Sequence, residues 1–203
     1  GKFRRQRQMC IRDSVNAVDE EKRTALHIVA EKGHIDLVKV FLENGADVNA
    51  VDEEKRTALH VVVEKGHIDL VKMLIQNGAD MNAIEVDNRT ALHLAVRKGH
   101  VDILRLLLQN GADVNAVEEY KETALHFAAS KRQIIILKVL LEHGADVNAV
   151  EEDNLTALHV AAEEGHVDVL KVLLQNGADV NAVAKDKTTA LHNAAGSGHV
   201  DFT

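Results

Sequence analysis

Apolar side chains occur in short clusters that have the period of a helix, and polar stretches separate the clusters. The clearest cluster, 35–43, contains the apolar residues Ile35, Leu37, Val38, Val40, Phe41 and Leu42. These residues occupy too much of the helix circumference for one stripe, so we predict a helix covered on more than one side. A shorter helix is predicted from Ala25, with Thr24 as its N-cap and Gly33 as its left-handed terminator. The polar segment 46–56 has no helical period and predicts an extended loop.

This pattern repeats every 33 residues. A threonine that opens the string TALH recurs at positions 24, 57, 90, 123, 156 and 189. Five whole units span 19–51, 52–84, 85–117, 118–150 and 151–183, and a partial unit spans 184–203. The first two units are identical at 25 of 33 positions. One such unit cannot bury its apolar surface alone, so we predict an all-α solenoid of stacked helix-turn-helix units over 15–203.

Composition restricts the class of protein. Apolar residues make up 46% of the 203 residues, which excludes a disordered chain, and the 2% aromatic share leaves a core of Leu, Val, Ile and Ala. A single cysteine excludes a disulfide framework. No apolar run approaches the ~20 residues that span a bilayer, so we expect no direct membrane insertion. We expect a cytoplasmic protein, with the nucleus as an alternative.

The first fourteen residues differ from the rest. The segment 1–14 carries five Lys or Arg and one Asp. Residues 8–14, QMCIRDS, resemble the translation of a sequencing adapter, which would make the leader non-native. The alternative is a disordered basic arm that binds nucleic acid or anionic lipid. Without the leader, the net charge of the chain changes from −8 to −12.

The repeated strings T-x-L-H, GH[IV]D and GADVNA resemble those of ankyrin repeats, and the resemblance covers 15–203. It implies helix-turn-helix units joined by loops like β-hairpins. In two places the sequence departs from the family. The family has proline after the threonine, where this chain has alanine at every unit. The family also tends to have glycine in the hairpin turn, where this chain has Lys or Asn. Since Lys adopts positive φ at a cost of about 1 kcal/mol, we predict looser tips or a different turn type at the Lys units.

Twelve histidines raise the question of metal binding or catalysis. Six end the TALH strings and five follow the turn glycine, and the last is His143. Each of these sets places one histidine per unit along the array, and such a ladder does not converge on one point, as metal ligation requires. The resemblance implies that each TALH histidine bonds its own threonine and a neighbouring backbone. We therefore expect no metal, no cofactor and no catalytic residues.

The family resemblance implies that the hairpin tips and the exposed face of the first helix form a concave surface that binds a partner protein. The matching tip residues are Glu20, Glu21, Arg23, Glu53, Glu54, Arg56, Val86, Asp87, Arg89, Glu119, Tyr120, Glu122, Glu152, Asp153 and Leu155. The six tips together carry seven of the twelve net negative charges, so we expect a basic partner and no nucleic acid. The alternative is that these charges are only solvated surface.

Unit four breaks the pattern at its helix turn. It has Arg132-Gln133-Ile134-Ile135 where the other units have Gly-His-Ile or Val-Asp. A non-glycine residue at a left-handed turn costs about 1 kcal/mol. Ile135 replaces an aspartate expected to face water, either as a second contact site or as a single exposed residue without function.

The leading hypothesis is a monomeric scaffold that binds another protein and has no chemistry of its own. The alternative is that the array is a fragment of a larger protein and serves an attached catalytic or membrane domain. The sequence does not identify the partner.

Overall fold

The computed structural model describes residues 14–198. The predictions for the leader therefore lie outside the described residues, apart from Ser14. The end of the partial unit, 199–203, also lies outside them. Within the described range, no helix is both long and apolar enough to cross a bilayer.

Each complete unit forms two antiparallel helices followed by a loop, as predicted. The helices are α1 (Ala25–Glu31), α2 (Ile35–Glu43), α3 (Ala58–Lys65), α4 (Ile68–Gln76), α5 (Ala91–Lys98), α6 (Val101–Gln109), α7 (Ala124–Ser130), α8 (Ile134–Glu142), α9 (Ala157–Glu163), α10 (Val167–Gln175) and α11 (Ala190–Gly196). Pairing of the sheet type within residues 14–198 is limited to isolated bridges between Val18 and Thr24 and between Val117 and Thr123. The chain is an all-α solenoid, which confirms the predicted fold class.

The first helix of each unit begins and ends as the sequence indicates. Thr57 has extended backbone, and its N–H donates to Nδ1 of His60 at 3.1 Å. The helix ends at Gly66, whose φ of +79° a side chain would strain. In unit four the corresponding residue, Arg132, adopts a φ of +54°. This confirms that a non-glycine residue occupies the left-handed turn there.

Stacking of neighbouring units completes the core. First helices pack against first helices and second helices against second helices along the array. Leu59 is fully buried, whereas Leu191, at the corresponding position of the last unit, is 68% exposed. At the other end, Leu37 is 45% exposed and its counterpart Leu70 only 1%. The difference arises because each unit is covered by the units on both sides.

The hairpin tips share one turn type in most units. Lys22, Lys55 and Lys187 adopt left-handed backbone with φ of 58°, 60° and 68°, as Asn88 and Asn154 do at 58° and 59°. The prediction of a different turn type is therefore wrong for these three lysines. Hydrogen bonds across the turn, such as Asp52 N–H to the Arg56 carbonyl at 3.0 Å, hold the backbone there.

The tip of unit four does differ from the others. Both Tyr120 and Lys121 have positive φ, and Glu119–Lys121 forms a short 3₁₀ turn. The Tyr120 side chain at this tip is 62% exposed.

Candidate partner-binding surface

The tips form a continuous edge along the array because backbone hydrogen bonds join each tip to the next. Glu53 N–H donates to the Glu21 carbonyl at 3.0 Å, and Val86 N–H donates to the Glu54 carbonyl at 3.1 Å. Glu152 N–H donates to the Tyr120 carbonyl at 2.8 Å. Side chains on neighbouring tips therefore keep a fixed spacing.

A carboxylate at the start of each tip shapes the turn in units one, two and five. In unit two, Asp52 accepts hydrogen bonds from the N–H groups of Glu54 and Arg56 at 2.9 and 2.8 Å. Glu151 accepts the equivalent bonds from Asp153 and Leu155 at 2.8 and 2.9 Å. Backbone bonding of this kind explains why a carboxylate stands at this position.

The arginines at the ends of the first three tips pair with carboxylates of their own tip. The Arg56 guanidinium lies 2.8 Å from the Asp52 carboxylate and 3.3 Å from that of Glu54. Arg23 pairs in the same way with Asp19 and Glu21. Arg89 pairs with Glu85 and Asp87. These three tips are therefore largely neutralised from within.

The predicted contact residues divide into two groups by exposure. Those with exposed side chains are Glu20, Glu21, Glu53, Glu54, Val86, Glu119, Tyr120, Glu152 and Asp153. The half-buried ones are Arg23, Arg56, Asp87, Arg89, Glu122 and Leu155. The fold thus brings all fifteen to one edge.

Unit four has the opposite charge at the end of its tip. Glu122 stands where Arg23, Arg56 and Arg89 stand in the earlier units. Within residues 14–198 it forms no ion pair. Burial raises the pKa of the Glu122 carboxyl, and the carboxylates of Glu118 and Glu151 raise it further while Arg97 opposes them.

A different cation neutralises the first carboxylate of this tip. Arg97, on α5 of the preceding unit, donates from Nη2 to both oxygens of Glu118 at 2.9 and 2.8 Å. Its guanidinium carbon lies 4.5 Å from the centre of the Phe127 ring. The Arg97 Nε atom is buried and has no acceptor among the described residues.

A groove of about 400 Å³ lies between the tips and the first helices of units two to four. Its lining includes Glu54, Arg89, Leu94, Arg97, Lys98 and Phe127. Ion pairs between successive first helices border it, since Lys98 lies 3.0 Å from Glu64. The tip pattern did not indicate Phe127 or Glu118 as part of this surface. The replacement of Arg by Glu at position 122 was the one feature of the tip sequence that could have indicated a different arrangement of charges in unit four.

The histidines of the TALH strings in units one and four join those units to the next. His27 Nε2 lies 2.9 Å from the Arg56 carbonyl oxygen of the next unit. Since Nδ1 of His27 accepts from the Thr24 N–H at 3.2 Å, Nε2 carries the proton and donates it to that carbonyl. No three His, Cys, Asp or Glu side chains between Ser14 and Gly198 could together hold a metal ion.

Comparison with known families agrees with this geometry. The family model described as ankyrin repeats (3 copies) matches residues 7–85, 82–151, 116–184 and 149–203. The chain belongs to the ankyrin-repeat family. Ankyrin repeats are generally protein–protein interaction modules. A comparison with curated proteins finds no match.

Proposed function

We propose that this ankyrin-repeat array binds a partner protein through its concave face and hairpin tips, at the fifteen tip residues named above. The observation that carries the proposal is a division of roles. Histidines and backbone hydrogen bonds are used between units, whereas the tips present exposed side chains, which differ among units three, four and five. Side chains of this kind provide specificity in a binding surface.

A basic partner fits the tips of units four and five best. The first three tips pair their arginines internally, but the tips 118–122 and 151–155 contain no arginine. Glu119, Glu122 and Glu152 form no ion pair with any residue between 14 and 198. A negative edge of this kind attracts cations and repels the phosphates of nucleic acids.

The test is affinity capture from an extract of the source organism with the full chain. One variant reverses Glu119, Glu122, Glu152 and Asp153 to Lys. A matched variant reverses four exposed carboxylates on the second helices, Asp36, Glu43, Asp102 and Glu142, to Lys. We expect partners that the second variant retains and the first loses. Partners that both variants retain, or that both lose equally, would contradict binding at the tips.

We further propose that the array acts as a monomer in the cytoplasm and has no chemistry of its own. The alternative, an array that serves an attached catalytic or membrane domain, is tested by reading the flanking open reading frame. A catalytic or membrane-spanning segment in that frame would favour the alternative.

A further inference from the structure

The last residue of the tip carries a guanidinium in the first three units of this array and a carboxylate in the fourth. In units one to three, the arginine that ends the tip lies against the carboxylate that begins it. In unit four that arginine is replaced by Glu122, so a carboxylate stands where the earlier tips have a guanidinium.

The residues around Glu122 compensate only in part for the missing arginine. Arg97 reaches from α5 to pair with Glu118 through both carboxylate oxygens. To do so it lies over the Phe127 ring and leaves its buried Nε atom without an acceptor among the described residues. Glu122 is half-buried and is not neutralised by an ion pair with any of them. A half-buried carboxylate without a cation is unfavourable, and a cation from outside would relieve this cost.

The neighbouring tip, 151–155, also lacks an arginine, so the part of the edge without arginine continues from unit four into unit five. Leu155 stands at the arginine position of unit five, and Glu151 forms no ion pair within residues 14–198. Glu151 is close enough to Glu122 to act on it electrostatically. The Tyr120 ring, exposed on the same tip as Glu122, provides a face on which a planar cation can stack.

We propose that an arginine of a basic partner segment binds at Glu122, between the tips of units four and five, with Tyr120 beside it. This proposal rests on the proposed function and adds the chemistry of the partner's central contact. Arginine suits the position better than lysine, because its planar guanidinium pairs with carboxylates and stacks on aromatic rings. The chain's own use of Arg23, Arg56 and Arg89 at the equivalent positions supports the same choice.

The experiment selects a phage-displayed library of random dodecapeptides against the full chain and measures the affinity of the selected peptides by calorimetry. Each peptide is then remade with single arginines replaced by citrulline, the neutral analogue of arginine, and by lysine. Two protein variants carry the same change of charge, Glu122→Arg at the tip of unit four and Glu43→Arg on α2. Glu43 is exposed, lies outside the tips and serves as the matched control.

We expect Glu122→Arg and the citrulline replacement of one arginine each to weaken binding by about tenfold or more, and Glu43→Arg to weaken it by less than about twofold. Lysine at that arginine should recover only part of the loss. Equal losses of affinity in the two variants, or no loss with citrulline, would contradict the binding of an arginine at Glu122. Neither outcome would contradict binding at the tips in general. Selected peptides whose affinity is the same for every tip variant, or a selection that yields no peptides, would count against the proposed function as well.

Discussion

The His93 ring joins the start of its own helix to Ala116, in the loop at the end of the same unit. Its Nδ1 accepts from Thr90 N–H at 3.2 Å, and its Nε2 lies 3.1 Å from the carbonyl oxygen of Ala116. One buried side chain thereby caps its own helix and anchors the loop that leads to the next unit. In unit five the outward bond is missing, since Nε2 of His159 is buried without a partner among the described residues.

Replacing this histidine in the middle of the array should cost far more than replacing it at the end. His93→Ala removes a fully buried ring and leaves the Ala116 carbonyl without its donor, so we expect a loss of about 3 kcal/mol in the free energy of unfolding. His192→Ala, at the exposed equivalent in the last unit, should lose less than about 1 kcal/mol. Urea unfolding followed by circular dichroism measures both, and similar losses would contradict the interior role of His93.

The same histidines should make the folded protein less stable in mild acid. Burial lowers the pKa of His93 to about 4, and burial also lowers the pKa values of His60 and His126. The unfolded chain therefore takes up protons at a higher pH than the folded chain does. His93 alone should leave stability intact above pH ~6.5 and remove about 3 kcal/mol by pH ~4. Urea midpoints across this range test the slope, which His93→Gln should reduce; an unchanged slope would exclude His93 as its source.

A second ladder, made by asparagines of the loops, should be equally sensitive to position. Asn115 accepts from Asp146 N–H at 2.8 Å and donates to the Gly144 carbonyl at 3.3 Å, which links its loop to the next. Asn115→Ala should lower stability by about 1 kcal/mol. Asn181→Ala is the control, because its side chain has no such bond to a following loop within residues 14–198. Unfolding midpoints measure both variants, and equal decreases in stability would contradict the prediction.

Unit four should become more stable when its strained turn is relieved. Arg132→Gly removes a side chain from left-handed backbone and should gain about 1 kcal/mol. The change also removes an exposed ion pair with Asp168 at 3.0 Å, which reduces the gain by a few tenths of a kcal/mol. The reverse change at the same turn, Gly165→Arg, should destabilise unit five. Thermal unfolding tests the pair, and no gain from Arg132→Gly would contradict strain at this turn.

The two ends of the array should open before its middle. Leu37 and Leu191 are exposed where their interior counterparts are buried. Fewer apolar contacts hold the end units, so among the described residues we expect the fastest amide hydrogen exchange at 15–30 and 190–198. Hydrogen exchange followed by mass spectrometry measures this. Uniform protection across all units would contradict it.

The sequence by itself determined the repeat, the helices and the stacked array, because a 33-residue period with apolar clusters has few other ways to bury its surface. It also located the tips and the left-handed turns, since these depend on local residues such as Gly66 and Asp52.

Only the tertiary structure decided which charges remain available on that edge. The bond from Arg97 to Glu118 joins two units and passes over Phe127, so it depends on distances that no local pattern contains. The exposure of Leu37 and Leu191 likewise depends on which neighbours a unit has, because burial in a stack belongs to the contact between units and not to one unit.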